Sequence, residues 1–176
     1  MNIGISGPIG AGKTTAAKYL AATYGLSYLR YGEILAEMSP EPTPDRQSLR
    51  EFGWNIMSGG LQSSLNQKLL SKIESEINWV VDGLRHPIDF ETLSNRPPFY
   101  LLYIDASPQI RWQRLSSRDK AMTWEEFDAT EAHPVESHLP VLKEKAYRTL
   151  LNEGHMTEFH AQLDAVFSDI RKSENQ

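Results

Sequence analysis

Residues 7–14 read Gly-Pro-Ile-Gly-Ala-Gly-Lys-Thr, and the rest of the chain is best read outward from them. The octapeptide fits G-x-x-x-x-G-K-[ST], in which the glycines let the backbone wrap a phosphate with its N–H groups turned inward. Apolar Met1, Ile3 and Ile5 precede it as a short strand. Ala17, Leu20, Ala21 and Tyr24 follow at helical spacing. Such a helix adds its positive N-terminal dipole to the loop. Gly7 and the run Gly10, Ala11, Gly12, Lys13, Thr14 and Thr15 are therefore expected to hold the phosphates of ATP. Lys13 would reach the β- and γ-phosphates, and the Thr14 hydroxyl would ligate Mg²⁺.

Downstream, strand and helix patterns alternate. Gly25 stops the first helix and residues 27–30 suit a second strand. Helices are expected over 31–38, 45–57 and 61–77, the first two separated by a proline-rich loop at Pro40, Pro42 and Pro44. Trp79-Val80-Val81 ends on Asp82-Gly83, and Phe99 to Ile104 ends on Asp105; both suit buried parallel strands. Ser107-Pro108 and the capping box Thr123–Glu126 open further helices. Residues 147–151 form a candidate last strand. Met156, Phe159, Leu163, Val166 and Ile170 mark one face of a C-terminal helix. This order implies a three-layer α/β domain, with a central parallel sheet of about five strands and helices on both faces. Ligands in such a domain bind beyond the carboxyl ends of the strands.

Composition narrows the function classes. A length of 176 residues suits one domain over 1–176. No cysteine is present, which excludes thiolate chemistry, disulfides and Cys-based metal sites. Lys plus Arg total 18 against 23 Asp plus Glu, a net charge of −5. That balance argues against nucleic acid as a partner. No apolar run approaches a membrane span and no leader pattern opens the chain, so a cytoplasmic protein without a membrane partner is expected. A monomer or homodimer fits this size.

Positive charge is instead concentrated locally. Asp82-Gly83-Leu84-Arg85 follows the buried run Trp79-Val80-Val81, where an aspartate helps to position Mg²⁺. Arg111, Arg114 and Arg118, spaced three and four apart, share one helical face, and Lys120 follows. Guanidinium groups suit a migrating phosphoryl group, whose charge they can neutralise. Arg46 and Arg50, one turn apart, are candidates for gripping an acceptor phosphate. His133 and His138 lack the spacing of a metal site and are expected at the surface. Trp54, Trp79, Trp112 and Trp124 are expected to be buried or half-buried.

With these residues in place, the chain resembles the nucleoside monophosphate kinase group, including adenylate kinase-like and dephospho-CoA kinase-like proteins. Gly7 to Thr14 matches the phosphate loop. Asp82-Gly83-Leu84-Arg85 is similar to the D-G-[FI]-x-R element whose arginine grips the acceptor phosphate, with Arg85 one residue nearer than in adenylate kinases. Arg111-x-x-Arg114-Leu-x-x-Arg118 looks like the arginine-bearing lid, placing a lid over roughly 111–130. Gly32-Glu33-Ile34-Leu35 is similar to the G-D-x-[LI]-R segment of the acceptor side, placing an acceptor-side helical insertion over roughly 31–60. Glu33 replaces the aspartate of that segment, and Ala36 stands where its arginine would follow. Asn152-Glu153-Gly154 looks like the loop that borders adenine, through Asn152 and Gly154.

The resemblance implies transfer of the γ-phosphoryl of ATP to a small phosphorylated acceptor, most simply a (deoxy)nucleoside monophosphate, with Mg²⁺ as cofactor. Lys13, Asp82, Arg114 and Arg118 would be catalytic, Thr14 and Asp82 would hold the metal, and Glu33, Arg46, Arg50 and Arg85 would bind the acceptor. A dephospho-CoA kinase-like or other small-molecule hydroxyl kinase, and an ATP-binding regulatory module, are the alternatives.

Overall fold

A computed structural model describes residues 1–73, 78–118 and 122–174. Strands β1 (Asn2–Ser6), β2 (Ser27–Arg30), β3 (Trp79–Leu84), β4 (Phe99–Asp105) and β5 (Arg148–Leu151) form one sheet in the order β2-β3-β1-β4-β5. All four pairings are parallel. The expected three-layer parallel architecture is therefore present. Its register matters for function: Asp82 pairs with both Ile5 of β1 and Arg30 of β2. The carboxyl ends of three neighbouring strands thus finish beside the phosphate loop, at the switch point where α/β sheets bind ligands.

Helices cover both faces. Helix α1 (Lys13–Tyr24) and α9 (Met156–Glu174) lie on one, where Ile3, Ile5, Leu20, Leu163, Val166 and Ile170 form one buried cluster. On the other face, Ile34, Leu65, Leu69, Trp79, Leu93 and Leu142 belong to a second cluster. They come from α2 (Tyr31–Met38), α4 (Gln62–Leu70), β3, α5 (Pro87–Ser94) and α8 (Leu139–Lys145). Each fully buried aliphatic side chain contributes about 1.5–3 kcal/mol, so both layers are strongly held to the sheet.

The remaining helices are α3 (Arg46–Ser58), α6 (Pro108–Arg118) and α7 (Trp124–Glu131). Asp45 caps α3 by accepting from Ser48 N at 2.8 Å. Thr123 and Glu126 make the expected capping box. The helix expected over 61–77 covers 62–70 and gives way to turn at Ser71 and Lys72. Residues 74–77 of that expectation, and Lys120, lie outside the described residues. Sequence periodicity missed α5, α8 and a 3₁₀ turn at Pro134–Glu136, all of them eight residues or shorter. Trp79 is buried and Trp54 and Trp112 are partly so, whereas Trp124 is exposed. Among the described residues no helix is long and apolar enough to cross a membrane.

Candidate active site

The phosphate loop owes its shape to two tight approaches. Gly7, at φ +141°, brings its α-carbon so close to Ile104 O that an added Cβ would stand 2.0 Å from that oxygen. Gly12, at φ +102°, leaves room for the Asn152 amide, 2.4 Å from where a Cβ would be. Only glycine tolerates both the backbone angle and the contact. Lys13 folds back along the loop and donates to Gly7 O at 2.7 Å and Pro8 O at 2.8 Å. As a residue Lys13 is partly buried, but its ammonium is shielded from water. That desolvation, with the nearby Arg85 charge, lowers its pKa from 10.5 to about 7, against the pull of Glu136 and Asp82.

Asp82, two residues before the end of β3, is 1% exposed. Its Oδ2 accepts from the Thr14 hydroxyl at 2.6 Å and from the Tyr28 hydroxyl at 3.2 Å, and the Arg30 Nε lies 3.5 Å away. Two hard oxygens, Thr14 Oγ1 and Asp82 Oδ2, are therefore side by side, the donor type that Mg²⁺ prefers. Among the described residues no group of three or more His, Asp or Glu could hold a metal alone. This suits an ion that takes its other ligands from substrate phosphates and water.

A cavity of about 420 Å³ opens over this centre. Lys13, Thr14, Thr15 and Asp82 line it from the loop side. Arg46, Arg50 and Arg85 line it as well, and Arg114 and Arg118 do so from α6. The structure thus brings most of the sequence-derived candidates into one space. It adds Arg30, Gln62, Asp89 and Glu136, which no motif marked. Arg85 is ion-paired to Glu136. Arg50 is half-buried, and desolvation lowers its pKa while Glu136 opposes the shift.

Several expectations change. Glu33 is exposed and does not line the cavity; Tyr31 and Ile34 are the residues α2 buries, which turns Glu33 outward. Arg111 is 5% exposed and bonds Ala106 O at 2.8 Å, Ile9 O at 3.2 Å and Glu131. It ties α7 to the phosphate loop and does not share the open face of Arg114 and Arg118. Asn152 is also committed to the loop: its Nδ2 donates to Ala11 O at 2.8 Å, and Arg114 donates to Asn152 O at 2.8 Å. Its side chain braces the loop, and neither Asn152 nor Gly154 lines the cavity. Instead Gly154 packs where an added Cβ would meet Glu158. His133 is not a bare surface residue, since its Nδ1 accepts from Val135 N at 3.2 Å and its Nε2 lies 3.4 Å from Glu51.

Comparison with known proteins bears on the family and the fold. The family model described as "AAA domain" matches residues 3–133. The chain belongs to the AAA domain family. Within the curated proteins it is 30% identical over 121 residues to rat adenylate kinase isoenzyme 1, covering 65% of this chain and 61% of the relative. It thus spans about three fifths of that relative's length. The UPF0200 protein MJ1399 of Methanocaldococcus jannaschii is 26% identical over 181 residues, covering 96% of this chain and 89% of the relative. Among solved structures, shikimate kinase from Acinetobacter baumannii in complex with shikimate superposes with a TM-score of 0.65. It does so at 18% identity, over 99% of this chain and 95% of that one. The last likeness shows a shared fold.

Proposed function

We propose that this chain transfers the γ-phosphoryl group of ATP to a nucleoside monophosphate. One observation carries the reading: Arg30, Arg46, Arg50, Arg85, Arg114 and Arg118 line one cavity together with Lys13 and Thr14. Six guanidinium groups and one ammonium around one cavity suit two phosphorylated ligands meeting there, and guanidinium forks match phosphate oxygens in pairs. The resemblance to adenylate kinases and the chain's small P-loop kinase relatives support the same reading.

In this mechanism the ATP phosphates lie over the N-terminus of α1. Gly12 offers that helix no side-chain cap, so its first-turn amides suit an anion. Lys13 leaves Gly7 O and Pro8 O for the β- and γ-phosphates. Thr14 and Asp82 would hold Mg²⁺, which when bound neutralises charge on the β- and γ-oxygens. Arg85 grips the acceptor phosphate, assisted by Arg30, Arg46 and Arg50, and aims its oxygen at the γ-phosphorus. Arg114 and Arg118 neutralise charge on the migrating group from α6. The acceptor oxygen is already anionic, so no base is needed and catalysis is positioning plus electrostatics. Helices α6 and α7 act as the lid and the helices of 31–60 as the acceptor wall. Closing them excludes water from the phosphorus.

Release of ADP, measured by enzyme coupling across ribo- and deoxyribonucleoside monophosphates, tests this directly. Release should require one of the monophosphates. Release with nucleosides, sugars or dephospho-CoA alone would assign a hydroxyl acceptor instead, and acceptor-independent release would assign an ATP-driven switch.

A further inference from the structure

Among the described residues, two buried side-chain atoms have no hydrogen-bond partner, Gln62 Oε1 and Glu136 Oε2. Both residues line the central cavity. The surroundings of Gln62 fix which way its amide is turned. Asp89 is 1% exposed and as a carboxylate can only accept. It accepts from Arg85 N at 3.1 Å, His86 N at 2.9 Å, Gln62 Nε2 at 2.6 Å and Asn66 Nδ2 at 3.0 Å. Both amides must therefore present nitrogen to Asp89. Asn66 uses its own oxygen to accept from the Tyr31 hydroxyl, whereas the Gln62 oxygen accepts from nothing described. Turning Gln62 over would set two oxygens against each other. At 3% exposure it cannot turn to bulk water either.

A buried acceptor without a donor is destabilising, and a cavity wall is where a ligand can supply the donor. Gln62 and Leu65, three residues apart on α4, both line the cavity, as Leu35, Leu49 and Met57 do. An apolar wall holding one orphan acceptor suits a base, while the arginines take the phosphate. Resting on the monophosphate reading above, we propose that Gln62, oriented by Asp89, selects acceptor bases that present an amino donor, cytosine or adenine. Bases with a carbonyl in that position, uracil or thymine, are rejected, because two acceptors would face each other in a site closed to water.

Equilibrium binding to the full chain, by titration calorimetry with cytidine, adenosine, uridine and N4,N4-dimethylcytidine monophosphates, tests this apart from catalysis. Cytidine monophosphate should bind about ten- to a hundredfold more tightly than the uridine and dimethylcytidine ligands. In Gln62→Leu the preference should vanish through loss of affinity for the amino base. Equal affinities in the unaltered chain, tighter binding of uridine monophosphate, no binding of cytidine or adenosine monophosphate, or an undiminished preference in folded Gln62→Leu would each overturn the proposal. Should Gln62→Leu not fold, the dimethylated ligand, which removes the donors and keeps the ring, decides by itself. The two readings fail separately. Transfer to a uridine or thymidine monophosphate alone would keep the kinase and remove the selectivity. Selective binding of cytidine or adenosine monophosphate without transfer would do the reverse.

Discussion

Binding of a non-hydrolysable ATP analogue at pH 8 should draw close to one proton from solution, and Lys13 is the reason. Its ammonium is desolvated and faces Arg85, which lowers its pKa from 10.5 to about 7. At pH 8 only about a tenth of the free protein then carries this charge. Polyphosphate beside the ammonium reverses the balance and restores the proton, so uptake should be about 0.9 proton at pH 8. The analogue's own terminal phosphate, with a second pKa of about 6, is already ionised at pH 8. Affinity should fall about tenfold per pH unit above pH 7, or about 1.4 kcal/mol per unit. Folding carries the complementary sign. Between pH 7 and 10.5 the unfolded chain binds more protons at this lysine than the folded one, so its contribution to stability rises with pH across that window. Calorimetry in buffers of different ionisation enthalpy measures the uptake directly. Lys13→Arg, which stays charged throughout, should show none. Absence of uptake at pH 8 to 9, or equal uptake by Lys13→Arg, would refute the reasoning.

Other perturbations separate the remaining parts. Asn152→Ala removes the brace on Ala11 O and should lower unfolding free energy by about 1–3 kcal/mol in urea, with ATP binding weakened as well. Asp82→Asn keeps an acceptor for the Thr14 hydroxyl but loses the charge, so turnover should fall about a hundredfold. Part of that loss should return at high Mg²⁺; an unchanged magnesium dependence would detach Asp82 from the metal. Glu136→Gln frees Arg85 from its ion pair and should lower the KM for the acceptor. A raised acceptor KM would show instead that Glu136 holds Arg85 in place.

Much of this fold was legible because its signals are local. The loop at 7–14, the apolar runs at Trp79–Val81 and Phe99–Ile104, and the C-terminal helical face each need only neighbouring residues to be read. The site was legible where a motif carried it, at Lys13, Thr14, Asp82 and Arg85. It was not legible where chain-distant elements meet. Arg30 reaches Asp82 only because β2 pairs with β3 in that register. Glu136 matters only because a 3₁₀ turn, too short for periodicity, brings it to Arg85. Gln62 and Asp89 sit 27 residues apart and are joined by one hydrogen bond. Arg111 misled for the opposite reason. Helical spacing groups it with Arg114 and Arg118, yet packing draws it inward to Glu131 and Ile9 O. Asn152 likewise carried a family role by position, while its amide is spent on the phosphate loop.

The most direct test of phosphoryl transfer follows the phosphorus itself. ATP labelled at its γ-phosphorus should pass the label to a nucleoside diphosphate product, with little inorganic phosphate formed. Transfer should be lost in Lys13→Ala and strongly weakened in Arg85→Ala. Label recovered only as inorganic phosphate, or full transfer by Lys13→Ala, would contradict the account.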